Sequence, residues 1–551
     1  MESLLPTVKS ISELIEDFES GNIAIPEIQR DVVWKAEQVK DLIDSVSLSY
    51  PCGSLILWEP REKDHSLVRT MIRPERLEQF PNQLPRYFLL DGQQRLTALA
   101  SVFLPRERLK KLLIELEEEM PFIFINLKKF PRDIEATTDV GGYKFPWVPF
   151  HRLFDGTLVG DAGFAALPVE HGKVQKYGQM FRDYKFPVQI IRDRTYEAVA
   201  DIFTRVNSQG TQLTGAEIHL ARIVPHWRGI TKEFREYRTE LRRKNYDLDL
   251  TFLIRAITVV ECKVPRIRKL AERVSKERPP RKQLDRSWKR AKDATNKLIR
   301  MLQVQLLLDK SKFFTSKNVL VPLIYYLAYD RGKKPAHKDI QRFFLLSQLS
   351  ERYGAAAETA LNRDFRILAD PDLCPRQGLS ALVANVDREA RQYHRGLKIR
   401  PDDVEGLASK NVLVLLMYVL MRKSGATDWG FGSARKLHEI EPGDLHLHHI
   451  FPFNFMVDNK EGLAGFKERP PADYRRQIND IANLTFLGKE KNIGIGDQPP
   501  WVYLPLETTT AVRKAHFIPQ DRTLWKPERF PEFLAERRRL LAKAITRLLK
   551  S

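Results

Sequence analysis

The longest unbroken run of apolar side chains, Val412 to Met421 (VLVLLMYVLM), is ten residues long, about half of the roughly 20 a helix needs to cross a bilayer. The run therefore reads as a core helix, and the remaining apolar side chains must be buried within folded domains. A chain of 551 residues exceeds what one hydrophobic core can enclose, so about two to four domains are expected. With 43% hydrophobic and 29% charged residues, the composition is that of a globular protein. Met1 to Lys9 lack a charged start followed by an apolar stretch, so no export signal is read there. Cys52, Cys262 and Cys374 are widely spaced and odd in number. They suggest neither a disulfide framework nor a cysteine zinc site, and the expected compartment is a reducing cytoplasm, without a membrane partner.

Periodicity divides the chain into three expected regions. In residues 1–225 an extended piece near Ile25-Pro26 precedes a helix with Val39, Leu42, Ile43 and Val46 at i, i+3, i+4 and i+7. Strands follow at Ser54–Trp58 and Tyr87–Leu90, the second running directly into DGQQRLTALASVF, where Leu96, Leu99 and Val102 mark another helix. A third strand-like run is Pro121–Leu127, and a loop at Asn207 to Gly210 precedes a helix capped by Thr214 and Glu217. The layout is α/β. Residues 226–425 read as almost wholly helical, with two similar serine-capped segments, SKNVLVPLIYYLA (316–328) and SKNVLVLLMYVLM (409–421), as scaffold helices. Residues 426–551 read as α+β, ending in an amphipathic helix whose Arg537-Arg538-Arg539 run faces solvent or DNA.

Lys and Arg number 91 against 71 Asp and Glu, a net charge of +20. Between Lys263 and Lys297 lie fourteen basic and four acidic residues, half of that excess. Such density points to a polyanion, with DNA or RNA first because phosphate contacts supply most non-specific affinity. Arg278, Arg281, Lys282, Lys289 and Arg290 are the expected contacts.

The densest chemistry lies in LHLHHIFPFNF (445–455), where His446, His448 and His449 fall within four positions. Alternation with a period of two is a strand signal ended by Pro452. One imidazole can hold a divalent metal while its neighbour takes a proton from water, the two requirements of phosphodiester hydrolysis. Asn483 and Asn492 are further ligand candidates. The run NLTFL between them would pair with the histidine strand, and the following helix would bring Asn492 back.

HHIFP, ANLTFL and KEKNIG, in that order, resemble the HNH (His-Me finger, ββα-metal) nuclease motif in the variant whose last histidine is asparagine. The resemblance covers roughly residues 440–500. It implies His449 as general base, His448 and Asn492 as metal ligands, and Asn483 completing the catalytic set by orienting the base or bracing its loop. The position of His448 is often acidic in that motif. A histidine there, with His446 as a further ligand, extends the expected metal from Mg²⁺ or Mn²⁺ to Co²⁺, Ni²⁺ or Zn²⁺.

LLDGQQRLTAL (89–99) places Asp91, Gly92, Gln93, Gln94 and Arg95 between strand and helix, where backbone N–H groups attract phosphate and Arg95 can grip it. Together with IPEIQRDVVW (25–34) and IFTRVNSQGTQLTGAE (202–217), this run resembles the ParB-like N-terminal domain of GmrSD-type modification-dependent restriction systems. That likeness implies binding and hydrolysis of a nucleoside triphosphate, with Gln29, Arg30, Asp91, Gly92, Gln93, Gln94 and Arg95 lining the pocket and Asn207 and Gly210 shaping a nearby loop. No P-loop G-x-x-x-x-G-K-[ST] is present, so the chemistry would use another scaffold.

The expectation is a nucleotide-regulated, metal-dependent DNA endonuclease or nickase of bacterial anti-phage defence, acting on foreign or modified phage DNA. The modification, glucosylated hydroxymethylcytosine or phosphorothioate, and assembly as a homo-oligomer are left open. The rival is a nucleotide-switched DNA-binding protein that does not cut, with a structural histidine cluster; an enzyme acting on RNA is a second rival.

Overall fold

The computed structural model describes residues 4–25, 34, 36–61, 85–105, 107–109, 122–129, 134–137, 146–194, 198–199, 202, 215–227, 229–330, 332, 336–392, 398–405, 412–430, 435–458 and 472–550. The chain divides into two compact units, residues 1–233 with 274–278, and residues 234–273 with 279–551. Both sides of position 425 thus lie in the second unit.

In the first unit, β1 (Leu4–Ser10) leads into α1 (Ile11–Glu19) through a capping box. The Ser10 hydroxyl accepts from the Glu13 amide at 3.1 Å, and the Glu13 carboxylate accepts from the Ser10 amide at 2.6 Å, so two otherwise unpaired helix donors are satisfied. Helix α1 buries Ile11, Leu14, Ile15 and Phe18, and α2 (Ala36–Ser47) buries Val39, Leu42, Ile43 and Val46, the stripe the heptad spacing predicts. With β2 (Ile23–Ala24), β3 (Leu55–Trp58), β4 (Tyr87–Asp91) and β8 (Lys185–Ile191), β1 forms one mixed sheet ordered β1-β8-β3-β4-β2. Antiparallel pairing of β1 with β8 and of β3 with β4 alternates with parallel pairing of β3 with β8 and of β2 with β4. Helix α3 (Gln93–Phe103) leaves β4 after a single glycine and is buried at every position except Arg95. A second sheet joins β5 (Phe122–Asn126), β6 (Ile134–Thr137) and β7 (Trp147–Pro149) in the order β6-β5-β7.

Among the described residues, the second unit is helical around one antiparallel strand pair, a hairpin with a long connection. Helix α4 (Leu250–Cys262) starts at an Asp249 cap, whose carboxylate accepts from the Phe252 amide at 2.8 Å, and ends at Lys263 with φ 57°. Helix α5 (Arg281–Gln305) buries Leu284, Trp288, Ala291, Leu298 and Leu302. Helices α6 (Leu320–Tyr329) and α7 (Val412–Lys423) hold the buried apolar runs of the two similar segments. Ser316 caps the short turn Lys317–Val319 that precedes α6, and residues 409–411 lie outside the described residues. Strands β9 (Leu445–His449) and β10 (Leu484–Gly488) pair antiparallel with Thr485 opposite His448. Helix α8 (Lys489–Ile495) follows β10 without a gap, then α9 (Pro500–Glu507), and α10 (Phe530–Lys550) closes the chain.

The hairpin is fixed to the helices by side chains remote in sequence. The rings of Phe313 and Tyr418 lie 5.3 and 5.4 Å from Phe486 on β10. The buried Lys310 ammonium donates to the Ile440 carbonyl at 2.8 Å, and Lys312 to that of Leu445 at 3.2 Å. On the other side Phe451 sits 4.9 Å from both Phe530 and Phe533. Each fully buried ring of this kind contributes about 1.5–3 kcal/mol by leaving water.

Candidate active site

The second unit brings His448, His449, Asn483 and Asn492 onto one ββα element. His448, 3% exposed, has its Nδ1 2.8 Å from the Oδ1 of Asn492 on α8 and its Nε2 3.3 Å from the Tyr503 hydroxyl on α9. The ring of Trp429 meets it edge-on at 5.4 Å. Burial drives the His448 pKa down to about 4, so the ring is neutral at pH 7, against a smaller opposing effect of the Asn492 bond.

Protons at His448 follow from distance. The Tyr503 hydroxyl is 2.6 Å from the Ile450 carbonyl oxygen, which can only accept. That short contact takes the phenolic proton, because turning it toward the ring would leave two oxygens 2.6 Å apart with no hydrogen between them. Tyr503 can therefore only accept from the ring, as can the Asn492 oxygen at the other nitrogen, and the neutral ring has one proton for these two acceptors. With that proton on Nε2, the bare Nδ1 lone pair faces the carboxamide oxygen. A turned-over amide or a cation between the two atoms would satisfy this pairing.

His449 contacts a different set of residues. Its Nε2 lies 3.0 Å from the Asn479 Oδ1 and its ring 6.2 Å from that of Phe453. The Asn479 amide nitrogen donates to the Arg475 carbonyl at 2.9 Å, so its oxygen must face the ring. Burial lowers the His449 pKa, with the Asn479 bond opposing.

Asn483 is fully buried and its amide serves the backbone. Its Oδ1 accepts from the Phe451 amide at 2.8 Å, and its Nδ2 donates to the carbonyls of Phe451 at 3.0 Å and Ile478 at 2.9 Å. With the Ile450 amide bonded to its own carbonyl at 2.7 Å, it pins the turn that leaves the histidine strand. His446 is half-buried opposite Leu487, and no hydrogen bond joins it to His448, His449 or Asn492 among the described residues.

Beneath the hairpin, fully buried His516 donates through Nε2 to the Thr427 carbonyl at 2.8 Å, while its Nδ1 receives the Thr485 hydroxyl at 2.7 Å. Burial brings its pKa to about 4. The arginine run does not face outward as a block. Arg537 is wholly buried and donates to the carbonyls of Ala482 at 2.8 Å and His516 at 3.1 Å. Arg538 pairs with Asp480 at 2.9 Å, and only Arg539 is exposed, against Glu536. A helix anchored on one face to the turn before β10 cannot offer all three consecutive cations to a ligand.

A metal fits this donor set in a limited way. Among the described residues no group of three or more His, Cys, Asp and Glu gathers. The His448 Nδ1 to Asn492 Oδ1 distance of 2.8 Å is close to the roughly 3 Å separating adjacent ligands about 2.1 Å from a common ion.

In the first unit, Gly92 (φ 92°) turns the chain between β4 and α3, and a Cβ on it would lie 2.2 Å from Leu55 Cδ2. Arg95 bonds Asp91 at 3.1 Å and the Cys52 carbonyl at 3.4 Å. Gln93 and Gln94 are buried, and the Gln94 Oε1 accepts from the Trp34 amide at 3.2 Å. Gln29, Arg30, Asn207 and Gly210 lie outside the described residues. On α5, Arg281, Lys282, Lys289 and Arg290 are exposed, and Lys282, Arg286, Lys289, Lys297 and Arg300 recur on one face opposite the buried stripe. Arg278 (φ 47°) belongs to the segment grouped with the first unit.

Asn479, Tyr503 and Arg537 carry no motif signal. Only their contacts mark them.

The fold thus places a mixed α/β unit before a helical unit built around a histidine-bearing ββα element. Residues 11–224 match the family of the GmrSD restriction endonuclease N-terminal domain, so this part of the chain is similar to a domain named for restriction endonucleases. It is also similar to an uncharacterized protein of Methanocaldococcus jannaschii, 24% identical over 90% of this chain and 86% of that protein. Among the described residues, no helix is long and apolar enough to cross a membrane.

Proposed function

We propose that this chain is a metal-dependent DNA endonuclease or nickase of restriction type, with an HNH-like site in its second unit and nucleotide-regulated sensing of modified or foreign DNA in its first. The observation that carries the reading is the convergence of His448 and Asn492 to 2.8 Å in a hairpin followed directly by a helix, beside a second half-buried imidazole.

In this mechanism His448 and Asn492 would hold a divalent cation, which supplies charge neutralisation on the scissile phosphate and leaving oxygen. His449 would take a proton on Nδ1 from a water whose oxygen attacks phosphorus, as the bond to the leaving sugar oxygen breaks. The Asn483 bonds hold the turn and thereby the direction of His449. The basic face of α5 would engage the duplex backbone. For the first unit, the Asp91–Arg95 pair at the start of α3 is the group a triphosphate would have to open; nucleotide binding there, its hydrolysis and its control of cutting are parts of the proposal.

The test is nicking of supercoiled plasmid with Mg²⁺ or Mn²⁺, comparing the parent with His449→Ala, on unmodified, glucosylated and phosphorothioate DNA with and without nucleotide. Nicking by the parent, lost in the variant, is expected. Equal nicking by both would remove His449 from the mechanism. No nicking under any condition would favour a DNA-binding protein whose histidines are structural.

A further inference from the structure

Both adjacent histidines meet, through Nε2, an acceptor whose own hydrogens are committed elsewhere. For His448 it is the Tyr503 hydroxyl oxygen at 3.3 Å, its proton directed to the Ile450 carbonyl at 2.6 Å. For His449 it is the Asn479 carboxamide oxygen at 3.0 Å, its amide directed to the Arg475 carbonyl at 2.9 Å. Neither partner can donate to the ring without setting acceptor against acceptor at its other contact.

We infer that Tyr503 and Asn479 are positioning residues that hold His448 and His449 in the same Nε2–H form. For His448 this requires the Asn492 amide, 2.8 Å from Nδ1, to turn its nitrogen to the ring or a cation to sit between them. The two Nδ1 lone pairs then serve ligation and proton transfer. The inference rests on the reading of these two rings as ligand and base. Its chemical content is selection between two ring nitrogens. A neutral imidazole in solution shares its proton between them, and a ring carrying it on Nδ1 has no lone pair there to give a cation or a water.

Tyr503 and Asn479 work from different elements. Tyr503 stands on α9, packed beneath the strand with Trp429 at 5.9 Å. Asn479 follows the short helix Ala472–Ile478 and is fixed by its bond back to Arg475. Each pin can therefore be removed without touching the other.

The test reads ring nitrogens directly. Long-range ¹⁵N–¹H spectra of the metal-free, histidine-labelled full chain, assigned with His448→Asn and His449→Asn, should give a protonated Nε2 and a bare Nδ1 for both rings. A protonated Nδ1 in the neutral form of either ring overturns the inference for that ring, and this measurement needs no variant to fold. Asn479→Leu should convert His449 alone to a mixture of forms, while Asn479→Asp, which keeps an acceptor oxygen, should preserve Nε2–H. Tyr503→Phe should do the same to His448 alone and weaken Mn²⁺ binding, followed by calorimetry, by about 10–100-fold, the usual effect of losing a partner behind a ligand. An unchanged spectrum in Asn479→Leu or Tyr503→Phe would remove that residue's role. If the forms are as stated but plasmid is never nicked, the endonuclease reading fails and the pins stand. If nicking depends on His449 but the spectra show Nδ1–H, the pins fail alone.

Discussion

His448 Nδ1 lies 2.8 Å from the Asn492 carboxamide oxygen, across 44 positions of sequence. The contact exists because β10 runs antiparallel to β9 and passes into α8 without a linker. Replacing Asn492 by Ala should weaken Mn²⁺ binding by at least about tenfold, since a ligand cannot matter less than the groups behind it. Asn492→Asp, which supplies a charged hard oxygen, should bind Mg²⁺ more tightly than the parent. Calorimetry checks both, and equal affinities across the three proteins would separate Asn492 from metal binding.

Acid should destabilise the second unit. The folded-state pKa of both His448 and His516 is lowered from 6.5 to about 4 by burial. As pH falls below 6.5 the unfolded chain takes up these protons first, so stability is full above that value and is lost progressively toward pH 4. The loss amounts to about 3 kcal/mol for each ring at most. Urea unfolding of the metal-free protein at pH 7, 6 and 5 should give falling midpoints; a flat series would contradict the burial of these two rings.

Asn483→Ala should cost about 2–4 kcal/mol, because one buried amide and two buried carbonyls lose their partner. If the turn positions His449, nicking should fall further than the lost folded fraction accounts for, as seen by comparing rate with fraction folded from circular dichroism.

The arginine run should split on mutation. Arg537→Ala strands the Ala482 and His516 carbonyls and should destabilise by about 2 kcal/mol or more. Arg539→Ala should leave the unfolding midpoint where it was, since its pairing with Glu536 is exposed. Equal effects would contradict the burial difference.

If α5 tracks a phosphate backbone, Lys282→Ala and Lys289→Ala should each weaken binding of duplexes of any sequence. Each should also reduce the slope of log affinity against log salt by about 1. Fluorescence anisotropy at several salt concentrations measures this, and unchanged slopes would move the DNA contact off that face.

Much of the local structure was legible because it depends on spacing within a few residues. The stripe at Val39, Leu42, Ile43 and Val46, the strand into DGQQR, and the pairing of NLTFL with LHLHH are periodic signals with one compact solution. The arginine run was not legible, since nothing in RRR says that its first member enters a core while its third remains in water. Asn483 was legible as a polar site, but its work on the Phe451 and Ile478 backbone depends on where the strand exit folds.

By itself the sequence determined which side chains could do chemistry and which short elements would carry them, because residue identity and periodicity are local properties. The tertiary structure alone decided that Tyr503 and Asn479 stand behind the two rings. Those relations are set by how a hairpin, two following helices and a distant core pack together. Hydrogen-bond direction at a buried ring depends on partners that no spacing rule connects.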